Sequence, residues 1–225
     1  MFKPSVHLRA VIFDMDGVIT NTMPDHYRAW KVVLTRYGYT PTHLDIYKRE
    51  GQPGIISIRD LFAEKDLSFP ERTLYKVLSE KERLFKKIVK QRFIPGARRF
   101  LHWLYQQGFI LALVTGTSRH ELHKILPDHL YKLFSAVVTG NDVKMGKPHP
   151  EPFLKAMEAL KVKSTEAIVI ENAPFGIQSA KSAGLKCLAV QTSLPKEFLN
   201  KADQVFHSIK DLSQYPCFTR PANSL

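Results

Sequence analysis

Two carboxylates two residues apart, Asp14 and Asp16, stand directly after the apolar run 9–13 and just before Gly17. A pair so placed suits phosphoryl chemistry, with Asp14 as a nucleophile toward phosphorus and Asp16 as a general acid and base. Taken alone, the pair serves a turn or a helix cap equally well. It also resembles the start of a calcium loop, but the glutamate that such a loop needs at a fixed offset is missing. Three further clusters supply what phosphoryl transfer requires beyond a nucleophile. Thr115 offers a hydroxyl and Gly116 a backbone N–H for phosphate oxygens. Lys147, in Gly146-Lys147-Pro148, offers a fixed positive charge to pair with the phosphate and with Asp14. Glu171 and Asn172 offer oxygens to Mg²⁺, a hard cation that keeps several waters and uses few protein ligands. Each cluster has an ordinary structural use by itself; four of them at the ends of apolar runs are an unusual coincidence.

The elements that must position these groups appear as an alternation. Apolar runs at 9–13, 109–114, 134–138 and 167–170 each end in a polar cluster, and runs at 186–190 and 204–206 complete the series. Helical patterns at 97–107, 119–126, 151–160 and 173–183 lie between them. This predicts an α/β fold, a doubly wound, Rossmann-like parallel sheet covered on both faces. Ligands of such sheets bind beyond the carboxyl ends of the strands, so the clusters converge on one crevice. From 23 to about 93 helical periodicity dominates, and Pro24, Pro41, residues 51–54 and Pro70 divide it into about four helices. The predicted organisation is a core of residues 1–20 and 95–215, an inserted helical cap of 21–94 and a loosely held tail of 216–225. Closure of the cap about hinges near 19–23 and 93–96 would exclude water from the crevice.

At 225 residues, 44% hydrophobic and 24% charged, the chain matches an ordinary globular protein and excludes collagen-like, coiled-coil and wholly disordered classes. No run approaches the ~18 apolar residues of a spanning helix, and Met1 to Ser5 lack the apolar core of a signal peptide, so a cytoplasmic protein without a membrane partner is expected. Cys187 and Cys217 are too few and too far apart for a disulfide framework or a thiolate zinc site. Lys and Arg exceed Asp and Glu by 33 to 21, a net charge of +12. The densest basic block holds Lys76, Lys81, Arg83, Lys86, Lys87, Lys90, Arg92, Arg98 and Arg99. Leu78, Phe85 and Val89 share one helical face within it, which predicts an amphipathic helix with a solvated basic side. No nucleic-acid reader motif accompanies the charge, so nucleic acid is not the expected partner; the excess suits steering of phosphorylated anions. Rival motifs fail. Residues 140–147 are one residue too long for a phosphate loop and Pro148 replaces its Ser or Thr. No Gly-x-Ser-x-Gly elbow exists, and His120 and His123 lack zinc-protease spacing.

The segments Val11-Ile12-Phe13-Asp14-Met15-Asp16-Gly17-Val18, Leu113-Val114-Thr115-Gly116, Gly146-Lys147-Pro148-His149-Pro150-Glu151-Pro152-Phe153 and Glu171-Asn172 occur in the order of the four motifs of the haloacid dehalogenase superfamily. The chain resembles the branch with a small helical cap, similar to beta-phosphoglucomutase-like phosphatases, and the likeness runs from about residue 9 to 191. It implies Asp14 as nucleophile, Asp16 as acid and base, and Thr115, Gly116 and Lys147 at the phosphate. It further implies Mg²⁺ held by the Asp14 side chain, the Asp16 carbonyl and the Glu171-Asn172 pair. Asn172 departs from the second acid that many relatives carry; it can ligate without adding charge.

In the cap, Thr22 and His26 occupy positions that in the similar mutases lie near the hinge and the acid/base aspartate. His26 either supports Asp16 or is a satisfied helix histidine. Residues 49–54 resemble the loop that reaches into the site and chooses substrates. Mutases usually carry a lysine before its glycine and an arginine shortly after, where this chain has Glu50 and Gly54. Glu50 resembles the cap glutamate of an inorganic pyrophosphatase-like subgroup; its ordinary alternative is an exposed helix end. The expected protein is a Mg²⁺-dependent phosphohydrolase, monomeric or weakly dimeric, acting through an aspartyl-phosphate on a small phosphorylated metabolite or pyrophosphate. A sugar-phosphate mutase, with Arg49 swinging in to grip the distal phosphate, is the rival enzyme. A non-enzymatic basic binding module on the same fold is the rival from another class, and the joint presence of Asp14, Asp16, Lys147 and Glu171 stands against it.

Overall fold

The computed structural model describes residues 8–218. Six of the apolar runs are strands: β1 (Ala10–Phe13), β2 (Ile110–Val114), β3 (Ala136–Val138), β4 (Ala167–Glu171), β5 (Lys186–Val190) and β6 (Gln204–Phe206). They form one sheet in the order β3-β2-β1-β4-β5-β6 with every pairing parallel. Successive residues of a strand serve opposite faces. Val11 and Phe13 join one buried cluster and Ala10 and Ile12 another. Helices α5 (Ala97–Gln106), α6 (Arg119–Ile125), α7 (Asp128–Tyr131) and α10 (Ile209–Ser213) cover the first face through Leu101, Leu122, Leu130 and Leu212. Helices α8 (Glu151–Leu160) and α9 (Pro174–Ser182) cover the second through Phe153 and Ala180. Proline at the first positions of α8 and α9 presets their opening turns.

The chain runs from β1 outward to β2 and β3, then returns to β4 on the other flank of β1, so the switch point of the sheet lies between β1 and β4. Register fixes what stands there. Phe13 lies opposite Ile170 on one side and Leu113 on the other, which brings Asp14 level with Glu171 and the β2 end.

Between β1 and α5 lie α1 (Met23–Arg36), α2 (His43–Tyr47), α3 (Gly54–Glu64) and α4 (Glu71–Ile88), around a separate cluster of Trp30, Val33, Leu34, Ile58, Phe62 and Val77. Two strands of chain tie this helical cap to the sheet. Thr20 and Phe93 form an antiparallel bridge, and Asn21 N donates to Arg92 O at 2.9 Å. The buried Asp25 carboxylate accepts from Arg92 Nη2 at 2.6 Å and Lys90 N at 3.2 Å.

Two expectations are corrected. The inward face of α4 is Leu74, Val77, Lys81 and Phe85, spaced by three and four residues. Val89 lies past the helix in extended backbone, and Lys81 is buried rather than on the solvated basic side. Phe218, assigned to the tail, is fully buried with its ring against Phe100 and Phe109; residues 219–225 lie outside the described part. Among the described residues no helix is long and apolar enough to cross a membrane.

Candidate active site

Lys147, 2% exposed, holds the floor of the crevice together. Its Nζ donates to Asp14 Oδ1 at 2.6 Å, Glu171 Oε1 at 2.7 Å and the Val114 carbonyl at 3.3 Å, spanning the ends of β1, β4 and β2. Burial lowers the affinity of an isolated ammonium for its proton, but Asp14 and Glu171 overcome it and hold Lys147 above its ordinary value. Glu171 Oε2 accepts from the backbone N–H groups of Asn172 (2.9 Å) and Ala173 (3.3 Å), so both of its oxygens have donors. Close packing explains two glycines. A Cβ at Gly176 would lie 1.8 Å from Glu171 Oε1, and one at Gly17, whose φ is +90°, would lie 2.1 Å from Asn172 Nδ2.

Asp14 keeps one oxygen unused. Its Oδ2 is buried without a hydrogen-bond partner among the described residues, and so is Asn172 Oδ1. Burial, reinforced by the charges of Glu171 and Asp16 and opposed by Lys147, raises the Asp14 carboxyl to about 8. Two orphaned hard oxygens beside an electrostatically strained carboxyl fit a hard divalent cation. No group of three or more His, Cys, Asp and Glu side chains among the described residues could hold a metal by itself. A cation here therefore depends on amide, backbone and water oxygens as well.

Asp16 is treated differently. Thr22 Oγ donates to its Oδ1, while Thr117 Oγ (3.1 Å) and Thr115 Oγ (3.3 Å) reach Oδ2. Burial alone would raise this carboxyl; His26 and the Thr22 and Thr117 hydroxyls reverse that and hold it below the usual carboxylate range. His26 Nε2 stands 3.6 Å from Asp16 Oδ1, and its ring stacks on Phe85 at 4.0 Å. Lys81 Nζ lies 3.1 Å from His26 Nδ1. An ammonium only donates, so Nδ1 accepts and the imidazole proton sits on Nε2, facing Asp16. Burial, then the charge of Lys81, keeps this imidazole below its ordinary pKa and neutral.

The cap loop lies directly on the floor. Gly51, at φ +78°, approaches Lys147 so closely that a Cβ would lie 2.9 Å from its Cδ, and a Cβ at Gly116 would meet Gly51 O at 3.6 Å. Glu50 and Arg49 line the enclosed cavity. The Glu50 carboxyl has no hydrogen bond among the described residues; burial, then Asp16 and Asp14, raises it well above its ordinary value. Arg49 is anchored within the cap, donating to the Asp45 carbonyl at 2.7 Å and pairing with Glu64.

Of the expected residues His26, Arg49, Glu50 and Gly116 line the cavity, Lys147 joins Asp14 to Glu171, and Thr22 and Thr115 meet at Asp16. Thr117, Lys81 and Glu121 are functional candidates that the sequence reading missed. Thr117 lies two residues beyond Thr115, and Lys81 betrays itself only by lying four residues from both Val77 and Phe85.

The profile of the family described as haloacid dehalogenase-like hydrolase matches residues 11–190. The phosphorylated carbohydrates phosphatase of Thermotoga maritima is 34% identical over 186 residues, 80% of this chain and 83% of that protein. The hexitol phosphatase A of Escherichia coli is 29% identical over 212 residues, 91% of this chain and 93% of that protein. The crystal structure of a beta-phosphoglucomutase from Clostridium difficile superposes with a TM-score of 0.78 at 26% identity, covering 91% of this chain and 93% of that one.

Proposed function

Given that the chain belongs to the haloacid dehalogenase-like hydrolase family, we propose that it is a phosphohydrolase acting on a small phosphorylated carbohydrate by way of an aspartyl-phosphate on Asp14. The observation that carries this reading is the Lys147 ammonium bridging Asp14 and Glu171 while Asp14 Oδ2 stays buried and unpartnered.

The Asp14 carboxylate, kept ionised by Lys147 and by the cation when one is bound, attacks phosphorus through one of its oxygens and the bond from phosphorus to the leaving oxygen breaks. Asp16 gives that oxygen a proton, so the alcohol leaves neutral. This proton is the one that Asp16 takes from water at the end of the preceding turnover, so the cycle closes on ester plus water giving alcohol plus phosphate. In the second half Asp16 takes a proton from water, the water oxygen bonds to phosphorus, and the acyl phosphate opens to return Asp14 and release inorganic phosphate. Thr115 Oγ and the Gly116 N–H orient phosphate oxygens, and Lys147 balances the charge on them. Asp14, the Asp16 carbonyl and Asn172, with Glu171 behind them, would hold Mg²⁺. That ion, when bound, neutralises charge on Asp14 and on the phosphoryl oxygens.

The Thr22 hydroxyl, just before α1, and the His26–Lys81 pair, on α1 and α4, set the position of the Asp16 carboxylate, so a closed cap of residues 21–94 completes the acid/base site. A mutase needs cap cations for a distal phosphate. Glu50 occupies the cavity instead, and Arg49 is tied to Asp45 and Glu64.

The test is phosphate release with Mg²⁺ from glycerol 3-phosphate, sorbitol 6-phosphate, pyrophosphate and acetyl phosphate, beside glucose 6-phosphate formation from beta-glucose 1-phosphate with catalytic bisphosphate. The proposal expects hydrolysis of the sugar-alcohol esters, lost in Asp14→Asn. Efficient isomerisation, or full turnover by Asp14→Asn, would refute it.

A further inference from the structure

The cavity under the cap, about 140 Å³, is lined on the cap side by His26, Glu50 and Lys81 and on the core side by Thr117 and Glu121. Glu121 lies in the first turn of α6 and belongs to none of the motif clusters. Its Oε2 accepts from Ser118 Oγ at 2.8 Å. Its Oε1 is buried and finds no hydrogen-bond donor among the described residues; Lys86 Nζ stands 3.7 Å away, beyond hydrogen-bond reach. A buried acceptor without a donor is uncommon in folded proteins and calls for one that arrives from elsewhere. Glu50 enters the same cavity from the cap, its carboxyl also without a hydrogen bond among the described residues. Burial opposes the charge of Lys81, and Glu50, Glu121, Glu82 and Asp16 support it.

We infer that Glu121 is a specificity-determining residue, whose free carboxylate oxygen accepts a hydrogen bond from a hydroxyl of the leaving group and whose charge turns away leaving groups bearing a carboxylate or a second phosphate. The inference rests on the phosphohydrolase reading and names its substrate class: phosphate monoesters of neutral, hydroxyl-bearing alcohols. A hydroxyl donating to a carboxylate makes a charge-assisted bond, among the stronger in proteins. An anionic group in the same place meets a like charge and leaves the buried oxygen without its donor, so one residue supplies attraction and rejection together.

The experiment compares kcat/KM for sorbitol 6-phosphate, 2-phosphoglycolate and acetyl phosphate in the unmodified protein, Glu121→Gln and Glu121→Ala. The first ester leaves a neutral polyol, the second a carboxylate, and the third has no hydroxyl and reports the phosphoryl chemistry. The unmodified protein is expected to prefer sorbitol 6-phosphate over phosphoglycolate by about tenfold or more. Glu121→Gln, which keeps the size of the side chain and removes its charge, is expected to shrink that preference by about tenfold. Glu121→Ala is expected to lower sorbitol 6-phosphate relative to acetyl phosphate by about tenfold. A preference for phosphoglycolate in the unmodified protein, or ratios unaltered in both variants, would overturn the inference. An equal loss on all three esters, the mark of a damaged or poorly closing site, would overturn it as well. No acetyl phosphate hydrolysis by the unmodified protein would overturn the phosphohydrolase reading and this inference with it.

Discussion

At the strand ends Lys147 bonds Asp14 at 2.6 Å and Glu171 at 2.7 Å, whereas under the cap Glu121 Oε1 has no hydrogen bond among the described residues, with Lys86 3.7 Å from it, and Lys81 bonds His26. The floor is built from the carboxyl ends of adjoining strands whose register fixes each side chain. The far end is assembled from cap loop, cap helix and the α6 helix, elements that meet only when the cap lies on the core. Groups held by strand register and bonded to one another suit the part common to every substrate. A carboxylate oxygen that still lacks a donor responds to whatever arrives, which suits the part that differs between substrates.

The largest effect is expected from removing the centre of the floor. Lys147→Ala leaves Asp14 and Glu171 buried side by side without their cation, and stability should fall by about 3–5 kcal/mol together with loss of phosphatase activity. Thermal denaturation checks it; a variant as stable as the unmodified protein would break the claim that this ion pair organises the floor.

Gly51→Ala probes the contact between the two regions. The alanine must accept a left-handed backbone and press on Lys147 Cδ, which its bonded ammonium cannot easily release. Gly38→Ala is the control, with φ +84° and nothing within 4 Å of the added Cβ. Both should lose about 1–2 kcal/mol of stability from backbone strain. Only Gly51→Ala should also lower kcat/KM, by about tenfold. Equal kinetics in the two variants would mean that the loop does not close on Lys147.

The smallest effect concerns the scaffold of the cap alone. Asp45 Oδ2 accepts from Thr42 N (2.8 Å), Thr42 Oγ (2.7 Å) and Tyr39 OH (2.7 Å). Burial opposes its ionisation, but these donors and Lys65 hold the carboxyl below its ordinary value. A depressed folded-state pKa contributes stability above the unfolded value of about 3.9 and loses it as pH falls through the folded value. Asp45→Ala should therefore cost about 1 kcal/mol near neutrality, a difference that narrows below about pH 4. Denaturant melts at several pH values decide it, and a pH-independent difference would sever the effect from ionisation.

What could be read from the sequence follows the same division. Asp14, Thr115 and Glu171 stand at the ends of apolar runs whose strand character needs no tertiary information, and Lys147 is marked by the Gly146 and Pro148 around it. Lys81 sits among cations of identical type, and only its alignment with Val77 and Phe85 sets it apart. The reading that put Leu78, Phe85 and Val89 on one face has Phe85 right and misses Lys81, because the end of α4 is decided by the return of the chain to Thr20. Glu121 has no local signal at all, since its use depends on a cap helix far away in sequence. Arg49 looks like a ligand in the loop, but the carbonyl of Asp45 one turn back claims it. Phe218 lies beyond the last periodic segment and is held by aromatic contacts with α5 and the residue preceding β2.

The central claim is that Asp14 carries the phosphoryl group between the leaving alcohol and water. Rapid acid quench of the protein during turnover of acetyl phosphate with Mg²⁺, followed by peptide mass analysis, tests it directly. The account predicts a phosphoryl mass increment on the peptide containing Asp14, forming before phosphate release reaches steady state and absent in Asp14→Asn. A phosphoryl group confined to another residue, or steady turnover by Asp14→Asn, would contradict it.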